Sequence, residues 1–145
     1  MFNEIAKQFP QIEFTWIGDG ELKSELTSDN ITITGWLERS EVLKILNKND
    51  IFILTSLWEG LPISLLEAMY MKKICIVSNI IGNRDVIEDG KNGFVANNLE
   101  NYRKIILQIK NDDYLEISTE ARKCIINKFN NDIMIKKYIN LYGDN

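Results

Sequence analysis

Two carboxylates, Glu59 and Glu67, flank the predicted start of a helix in the middle of the chain. Pro62 lies between them and is favoured at the first position of a helix, so we expect the helix to begin there. Glu67 then lies about one turn further in, within an apolar helical segment. An unpaired carboxylate in such surroundings costs free energy, and the hydroxyl groups of a ribose would be suitable partners.

Backbone amides add to the chemistry of this helix start. The amides of Leu61, Ile63 and Ser64 would have no partner within the helix, and the helix dipole places partial positive charge beside them. This combination predicts an anion site of the kind that binds phosphate. With one carboxylate placed for a sugar and one for a ribose, the site would suit a nucleotide sugar.

Glycine-containing loops follow three other predicted strands, and ligands of open α/β sheets bind beyond the carboxyl ends of the strands. The loops are residues 18–20 (Gly-Asp-Gly), 35–37 (Gly-Trp-Leu) and 79–85, which contain Gly82. Simpler interpretations stay open at this point. The Gly-Asp-Gly segment is most often just a turn, Trp36 and Trp58 could pack at the rim of the domain, and Glu67 could face solvent.

The order of the predicted elements indicates an α/β fold. Short β-rich segments cover residues 12–17, 31–34, 50–55, 74–78 and 93–96, and the apolar run at 50–55 is typical of a strand buried on both faces. Helical patterns cover residues 2–9, 21–26, 41–47, 63–71, 83–88, 101–110, 114–129 and 132–142, with Ser40 as a candidate N-cap. This alternation predicts a doubly wound parallel sheet with a helical C-terminal tail.

Composition limits the chemistry. The chain has 145 residues, which suits one domain, with 17 Lys and Arg against 21 Asp and Glu and no histidine. It therefore holds no Ser-His-Asp triad, Cys-His dyad or histidine-bound metal, and its acidic balance argues against nonspecific nucleic-acid binding. The lone Cys75 and Cys124 indicate no zinc site. No apolar run approaches the roughly 20 residues that span a bilayer, and the first residues do not resemble a signal peptide. Buried free thiols suit a reducing cytoplasm, so we expect a cytoplasmic location.

Residues 59–69, Glu-Gly-Leu-Pro-Ile-Ser-Leu-Leu-Glu-Ala-Met, carry a resemblance to a known family. The segment resembles the glutamate–seven residues–glutamate motif of the group 1 retaining glycosyltransferases, family 4 of the sugar-transferase classification. The segments FTWIGDGELKSEL, NITITGWL and IVSNIIGNRDVIEDGKNGFVA resemble neighbouring parts of the same family, in order and at the usual spacing. The resemblance covers about residues 2–110 and points to the C-terminal, donor-binding domain of the Rossmann-like GT-B fold.

The resemblance implies a role for individual residues. Glu59 matches the glutamate that contacts the donor sugar and is the predicted catalytic residue, and Glu67 matches the one that binds the ribose hydroxyls. The remaining predicted donor-binding residues are Gly18 beside the nucleotide, Trp36 and Leu37 bordering the base, and Gly60, Leu61, Ile63 and Ser64 near the phosphate and sugar. Pro62 takes a place often held by glycine and removes one amide donor, so fewer phosphate contacts are expected.

The resemblance also implies an activity. The whole enzyme would transfer a sugar from a nucleotide diphosphate sugar, such as a UDP- or GDP-sugar, to a hydroxyl of a glycan or lipid-linked acceptor, with retention, in bacterial surface polysaccharide synthesis. No cofactor or metal is expected, and the sequence has no Asp-x-Asp triplet. Residues 1–145 would be a fragment, the donor-binding domain with residues 112–145 as its tail, without the N-terminal acceptor domain. Alone it would bind nucleotide weakly and transfer no sugar. The whole enzyme would be cytoplasmic, with peripheral membrane association left open.

Some family features are not found in these residues. The family's donor domain opens with a strand ending in Gly-Arg, with a lysine soon after, and that strand would lie between those at 12–17 and 50–55. We expect the two strands either to close up or to accept a strand from another chain or segment, with self-association across the open sheet as one form. Two other functions stay open: a nucleotide-sugar epimerase-like GT-B domain, disfavoured by the lack of histidine, and a noncatalytic nucleotide-sugar-binding or assembly module that acts with a partner chain.

Overall fold

The computed structural model describes residues 1–111 and 114–143. Within these residues, the helices span Phe2–Gln8 (α1), Arg39–Lys48 (α2), Ile63–Tyr70 (α3), Ile81–Arg84 (α4), Leu99–Asn111 (α5), Leu115–Lys128 (α6) and Asn131–Tyr142 (α7), with a 3-10 helix at Glu21–Glu25. The strands span Phe14–Trp16 (β1), Ile31–Ile33 (β2), Ile51–Leu54 (β3), Ile74–Ser78 (β4) and Phe94–Ala96 (β5). The α/β fold class is confirmed, because every strand pairing in this part of the chain is parallel and helices separate most of the strands.

Helices cover both faces of β4, as a doubly wound sheet requires. Ile76 points into a core that contains residues of α1 and α5, including Ile5 and Tyr102. Cys75 and Val77 point the other way, into a second core formed with residues of α3 and α6. Because side chains alternate along a strand, this one five-residue strand anchors both layers. Its apolar run in the sequence reflects that two-sided burial.

The strands form two separate sheets. Among the residues that the structure describes, β1 pairs only with β2, and β3, β4 and β5 form a second sheet in that order. Of the two expected alternatives, closure of the strands at 12–17 and 50–55 is wrong, because β1 and β3 do not pair and a cavity of about 540 Å³ lies between them. Pairing with another chain or segment stays a prediction. β3 packs on both faces, as expected, with Ile51 and Ile53 against one core and Phe52 and Leu54 against the other, although all four residues are only half-buried. The free edge of β3 faces the cavity, which accounts for the exposure.

Some element boundaries also differ from the predictions. Ser40 is not the N-cap of α2, because the carbonyl of Glu38 already accepts hydrogen bonds from Glu41 and Val42 and starts the helix before Ser40. The helix predicted at 83–88 is instead α4, at Ile81–Arg84. Pro62 is the N-cap of α3 and the helix begins one residue later.

The C-terminal region is helical where it is described. Residues 112, 113, 144 and 145 of the predicted tail at 112–145 lie outside the described residues. α6 packs on α3 through its buried Ala121 and Ile125, whereas no residue of α7 is buried. None of the helices in the described ranges is both long and apolar enough to cross a membrane.

Candidate functional site

The loops after β1 and β2 meet at the carboxyl ends of their strands. Gly18 and Gly35 form an isolated antiparallel bridge, in which the Gly18 amide donates to the Gly35 carbonyl at 3.0 Å. Their φ angles are +129° and +70°, a region that side chains with a Cβ rarely adopt. The two loops therefore turn together, and this backbone geometry explains why glycine stands at both positions.

The two glutamates of the predicted site have different partners. The Ser56 hydroxyl donates to Oε1 of Glu59 at 2.7 Å. Glu67, one turn into α3, forms an ion pair with Arg39 at the start of α2. Both Nε and Nη2 of Arg39 lie 2.7 Å from Oε1 of Glu67. The side chain of Glu67 is 20% exposed, so it neither points freely into solvent nor lies unpaired in the core. Because α2 follows the Gly-Trp-Leu loop, this ion pair joins that loop region to α3.

The start of α3 offers free amides. The first amides of the helix with a backbone partner are those of Leu65 and Leu66, which both donate to the Pro62 carbonyl at 3.0 and 3.2 Å. In the described part of the chain, no residue accepts a hydrogen bond from the amides of Ile63 or Ser64, and both residues are exposed. These amides and the helix dipole can hold an anion at this point.

Large apolar side chains are exposed around the same edge. Trp36 is 73% exposed and Trp58 is 83% exposed, so packing at the rim, which the sequence left open, does not describe either side chain. Leu37 is half-buried. Other exposed apolar residues in the neighbouring loops and helix starts are Leu57, Leu61, Ile63 and Ile81. Exposed apolar groups gathered near polar ones are typical of a binding surface.

The cavity between β1 and β3 reaches this edge. Ser56, Ser64 and Glu67 line its end, while most of its wall consists of the two facing strands. It is therefore mainly a gap in the sheet that opens onto the candidate site. Among the described residues, no three His, Cys, Asp or Glu side chains cluster as metal ligands.

Tyr102 fixes the strand that leads into the site. Its hydroxyl donates to the Leu54 carbonyl at 3.1 Å, and its ring is buried. Burial raises the pKa of the Tyr102 phenol, so it stays a neutral donor. The end of β3, two residues before Ser56, is thereby tied to α5.

Comparison with known proteins decides the family. The sequence profile described as "Glycosyl transferases group 1" matches residues 1–130. The chain belongs to this family. It is 33% identical over 161 residues to the UDP-Gal:alpha-D-GlcNAc-diphosphoundecaprenol alpha-1,3-galactosyltransferase of Escherichia coli, an alignment that covers 99% of this chain and 41% of that protein.

Solved structures agree with the family. A single-residue variant of Staphylococcus aureus TarM, in complex with fondaparinux, alpha-GlcNAc-glycerol and UDP, is 28% identical with a TM-score of 0.83, covering 96% of this chain and 30% of that chain. The C-terminal domain of the group 1 glycosyltransferase LpcC from Francisella tularensis shares the fold, at 22% identity and a TM-score of 0.75, over 90% of this chain and 78% of that chain. The chain thus spans less than half of the length of the E. coli and TarM proteins, and the fold is that of GT-B C-terminal domains.

The structure places the predicted site residues in two groups, which the Arg39–Glu67 ion pair joins. Gly18 lies in the joined glycine loops, Trp36 and Leu37 follow Gly35, and Glu59, Gly60, Leu61, Ile63, Ser64 and Glu67 surround the start of α3. Sequence reasoning missed Arg39 and Ser56, the partners of the two glutamates. Ser56 could have been noticed, because it lies three residues before Glu59 in the same loop. Arg39 carries no comparable signal, since it is 28 residues away from Glu67.

Proposed function

We propose that residues 1–145 bind the donor of a retaining glycosyltransferase, a nucleotide diphosphate sugar such as a UDP- or GDP-sugar. The observation that carries the proposal is the arrangement at α3, where two partnered carboxylates flank a helix start with free, exposed amides. The UDP in the TarM structure supports a uridine nucleotide as the first candidate.

Different groups at this edge bind different parts of the donor. The amides of Ile63 and Ser64 stabilise the diphosphate as it leaves, since preorganised donors favour developing negative charge. Glu59 contacts the donor sugar, and Glu67 accepts hydrogen bonds from the ribose hydroxyls. Gly18, Trp36 and Leu37 border the nucleotide, while Gly60 and Leu61 lie beside the sugar and phosphate. The acceptor, a glycan or lipid-linked hydroxyl in bacterial surface polysaccharide synthesis, binds outside these 145 residues.

Calorimetry tests this role. UDP, GDP and ADP are titrated into the wild-type chain, Glu67→Ala and the control Glu100→Ala, which removes an exposed carboxylate from α5. We expect weak binding of one nucleotide, unchanged in the control, and about tenfold weaker in Glu67→Ala, the effect of losing hydrogen bonds to a charged group. Equal affinity in Glu67→Ala would refute the ribose role. No binding of any nucleotide by the wild type would favour a noncatalytic assembly module.

The gap between β1 and β3 supports a proposal about which segment pairs with this chain. The Phe14 amide donates to Asn30, so the backbone groups of Thr15 turn away from β2 and face the gap. The Ile74 amide donates to Asp50, so the groups of Ile51 and Ile53 face the gap from the other side. Buried unpaired backbone groups are costly. We infer that one extended apolar segment from outside these residues pairs with both strands.

A second copy of the chain is the less suitable occupant. The gap lies between two strands, so it accepts a strand that has both edges free, and each of the five described strands already has a neighbour. Self-association through the gap would therefore require one copy to give up its own pairing.

Amide exchange measures the occupancy of the gap within a single strand. In the chain alone, the Phe52 and Leu54 amides, which face β4, should be protected, and those of Ile51 and Ile53 should exchange fast at all protein concentrations. A short Val- and Ile-rich segment, fused to the amino end by a Gly-Ser linker, should protect Ile51 and Ile53. A matched segment with a central proline should not. Protection that rises with concentration would instead support self-association, and no protection by the fused segment would contradict the inference.

A further inference from the structure

The loop that carries Glu59 is held by a chain of hydrogen bonds that begins at Asn83 in α4 and passes through Ser78 at the end of β4. Nδ2 of Asn83 donates to the Ser78 hydroxyl at 3.1 Å and to the Ser78 carbonyl at 3.0 Å. The Ser78 hydroxyl donates to the Ser56 carbonyl at 2.6 Å, and the Ser56 hydroxyl donates to Glu59 Oε1 at 2.7 Å. The hydroxyls of Ser78 and Ser56 therefore each donate to one acceptor, and the chain of hydrogen bonds ends on the Glu59 carboxylate.

Asn83 is fixed in one orientation. Its side chain is fully buried, and its Oδ1 has no hydrogen-bond partner among the described residues. Turning the amide over would place Oδ1 against the Ser78 carbonyl, so two acceptors would face each other and both donors would be lost. A buried acceptor without a partner costs free energy. Despite this free-energy cost, both side-chain N–H groups of Asn83 donate to Ser78.

Gly82 brings α4 against the same loop. A Cβ on Gly82 would lie 2.5 Å from the Glu59 carbonyl oxygen and would also collide with that of Gly60. Both atoms belong to the backbone and cannot turn aside, so only glycine permits this contact. The peptide bond that follows Glu59 thus packs against α4, while the Glu59 side chain is held by Ser56.

We propose that Ser56, Ser78, Asn83 and Gly82 are positioning residues that fix the Glu59 carboxylate for its contact with the donor sugar. The inference rests on the proposed sugar contact of Glu59. None of the four needs to touch the sugar, and Ser78 and Asn83 act through Ser56. Their effect on binding should therefore depend on whether the ligand carries a sugar.

The experiment compares nucleotide with nucleotide sugar. Affinities of UDP, UDP-galactose and UDP-N-acetylglucosamine are measured for the wild type, Glu59→Ala, Ser56→Ala and Ser78→Ala. Ser118→Ala is the matched control, because Ser118 is also buried and donates to a backbone carbonyl, that of Leu115 in α6. We expect Glu59→Ala to remove the gain in affinity that the sugar brings. Ser56→Ala and Ser78→Ala should reduce that gain in affinity roughly threefold to tenfold, which is the effect expected from losing one hydrogen bond. The affinity for UDP should not change in either variant.

A second measurement needs no ligand. The carboxyl ¹³C resonance of Glu59, assigned by its loss in Glu59→Ala, should shift in Ser56→Ala and Ser78→Ala and should stay in place in Ser118→Ala. If Glu59→Ala leaves the sugar gain intact, the proposed sugar contact fails, and the resonance alone decides the positioning role. If Glu59→Ala removes the gain but Ser78→Ala changes neither the gain nor the resonance, the positioning role is refuted and the sugar contact stands. Equal loss of UDP and UDP-sugar affinity in Ser78→Ala would show general damage and would also overturn the inference.

Discussion

Arg39 is the partner of the Glu67 carboxylate in this structure, and replacing it measures how firmly that carboxylate is held. Both Nε and Nη2 of Arg39 lie 2.7 Å from Glu67 Oε1. The Arg39 side chain is 74% exposed, which favours solvent screening, whereas Glu67 is only 20% exposed. We therefore place the coupling at the upper end of the range for surface pairs, ~1 kcal/mol.

The single variants should differ. Arg39→Ala should lower the free energy of unfolding by about 1 kcal/mol, because it leaves a half-buried carboxylate unpaired. Glu67→Ala should cost much less, since it removes that carboxylate, leaves Arg39 in water and places alanine, a strong helix former, inside α3. The double variant should resemble Glu67→Ala, and the double-mutant cycle then returns the coupling.

Urea denaturation provides the assay, with midpoints compared at a common slope. The same cycle on Arg103 and Glu100, an exposed pair 3.7 Å apart on α5, is the control and should give a smaller coupling. In 1 M NaCl the Debye length falls to about 3 Å, so the Arg39–Glu67 coupling should decrease. The reasoning would be refuted if this coupling did not exceed the control, or if Glu67→Ala destabilised the chain as much as Arg39→Ala.

Three further predictions follow from packing and burial. Gly82→Ala should lower the free energy of unfolding, measured in urea, by about 1–3 kcal/mol, because the new Cβ meets backbone atoms. Gly60→Ala has open space at its Cβ and should change that free energy by no more than about 0.5 kcal/mol. Equal changes in the two variants would contradict the close approach of α4. Ile76→Ala removes a fully buried side chain and should cost about 2–5 kcal/mol, and a smaller change in the urea midpoint would argue against the packing of β4. Burial raises the pKa of Cys75, so at pH 8 its thiol should react with a thiol reagent far more slowly than that of the half-buried Cys124, and similar rates by mass spectrometry would count against the fold.

Local patterns made much of the fold predictable. The apolar run that became β4 matches the prediction at both ends, and the spacing of apolar residues located α1, α5 and α6 to within two residues. The separation of β1 from β3 could not be derived from composition or periodicity, because pairing depends on which strands are present. The resemblance raised the question of that gap, and the structure answered that the strands stay apart.

The candidate site was predictable in part. The glutamates and glycines carry signals within a few residues of one another, such as Glu59 and Glu67 around a helix start. Their partners depend on tertiary contacts. The Ser78 hydroxyl reaches the Ser56 carbonyl because β3 and β4 pair in parallel. Arg39 on α2 reaches Glu67 on α3 because the two helices lie close together. No local pattern encodes either contact, so the sequence predicted the carboxylates but not the groups that hold them.

We expect a nucleotide to bind at the joined glycine loops and the start of α3. Two-dimensional ¹H–¹⁵N NMR of the 145-residue chain during a titration with UDP measures this binding residue by residue. We predict that the largest shifts fall on the amides of Gly18, Gly35, Ile63 and Ser64, and that Glu67→Ala weakens all of them together. Shifts confined to α5 and α6, or no shifts with UDP, GDP or ADP, would contradict nucleotide binding at this place.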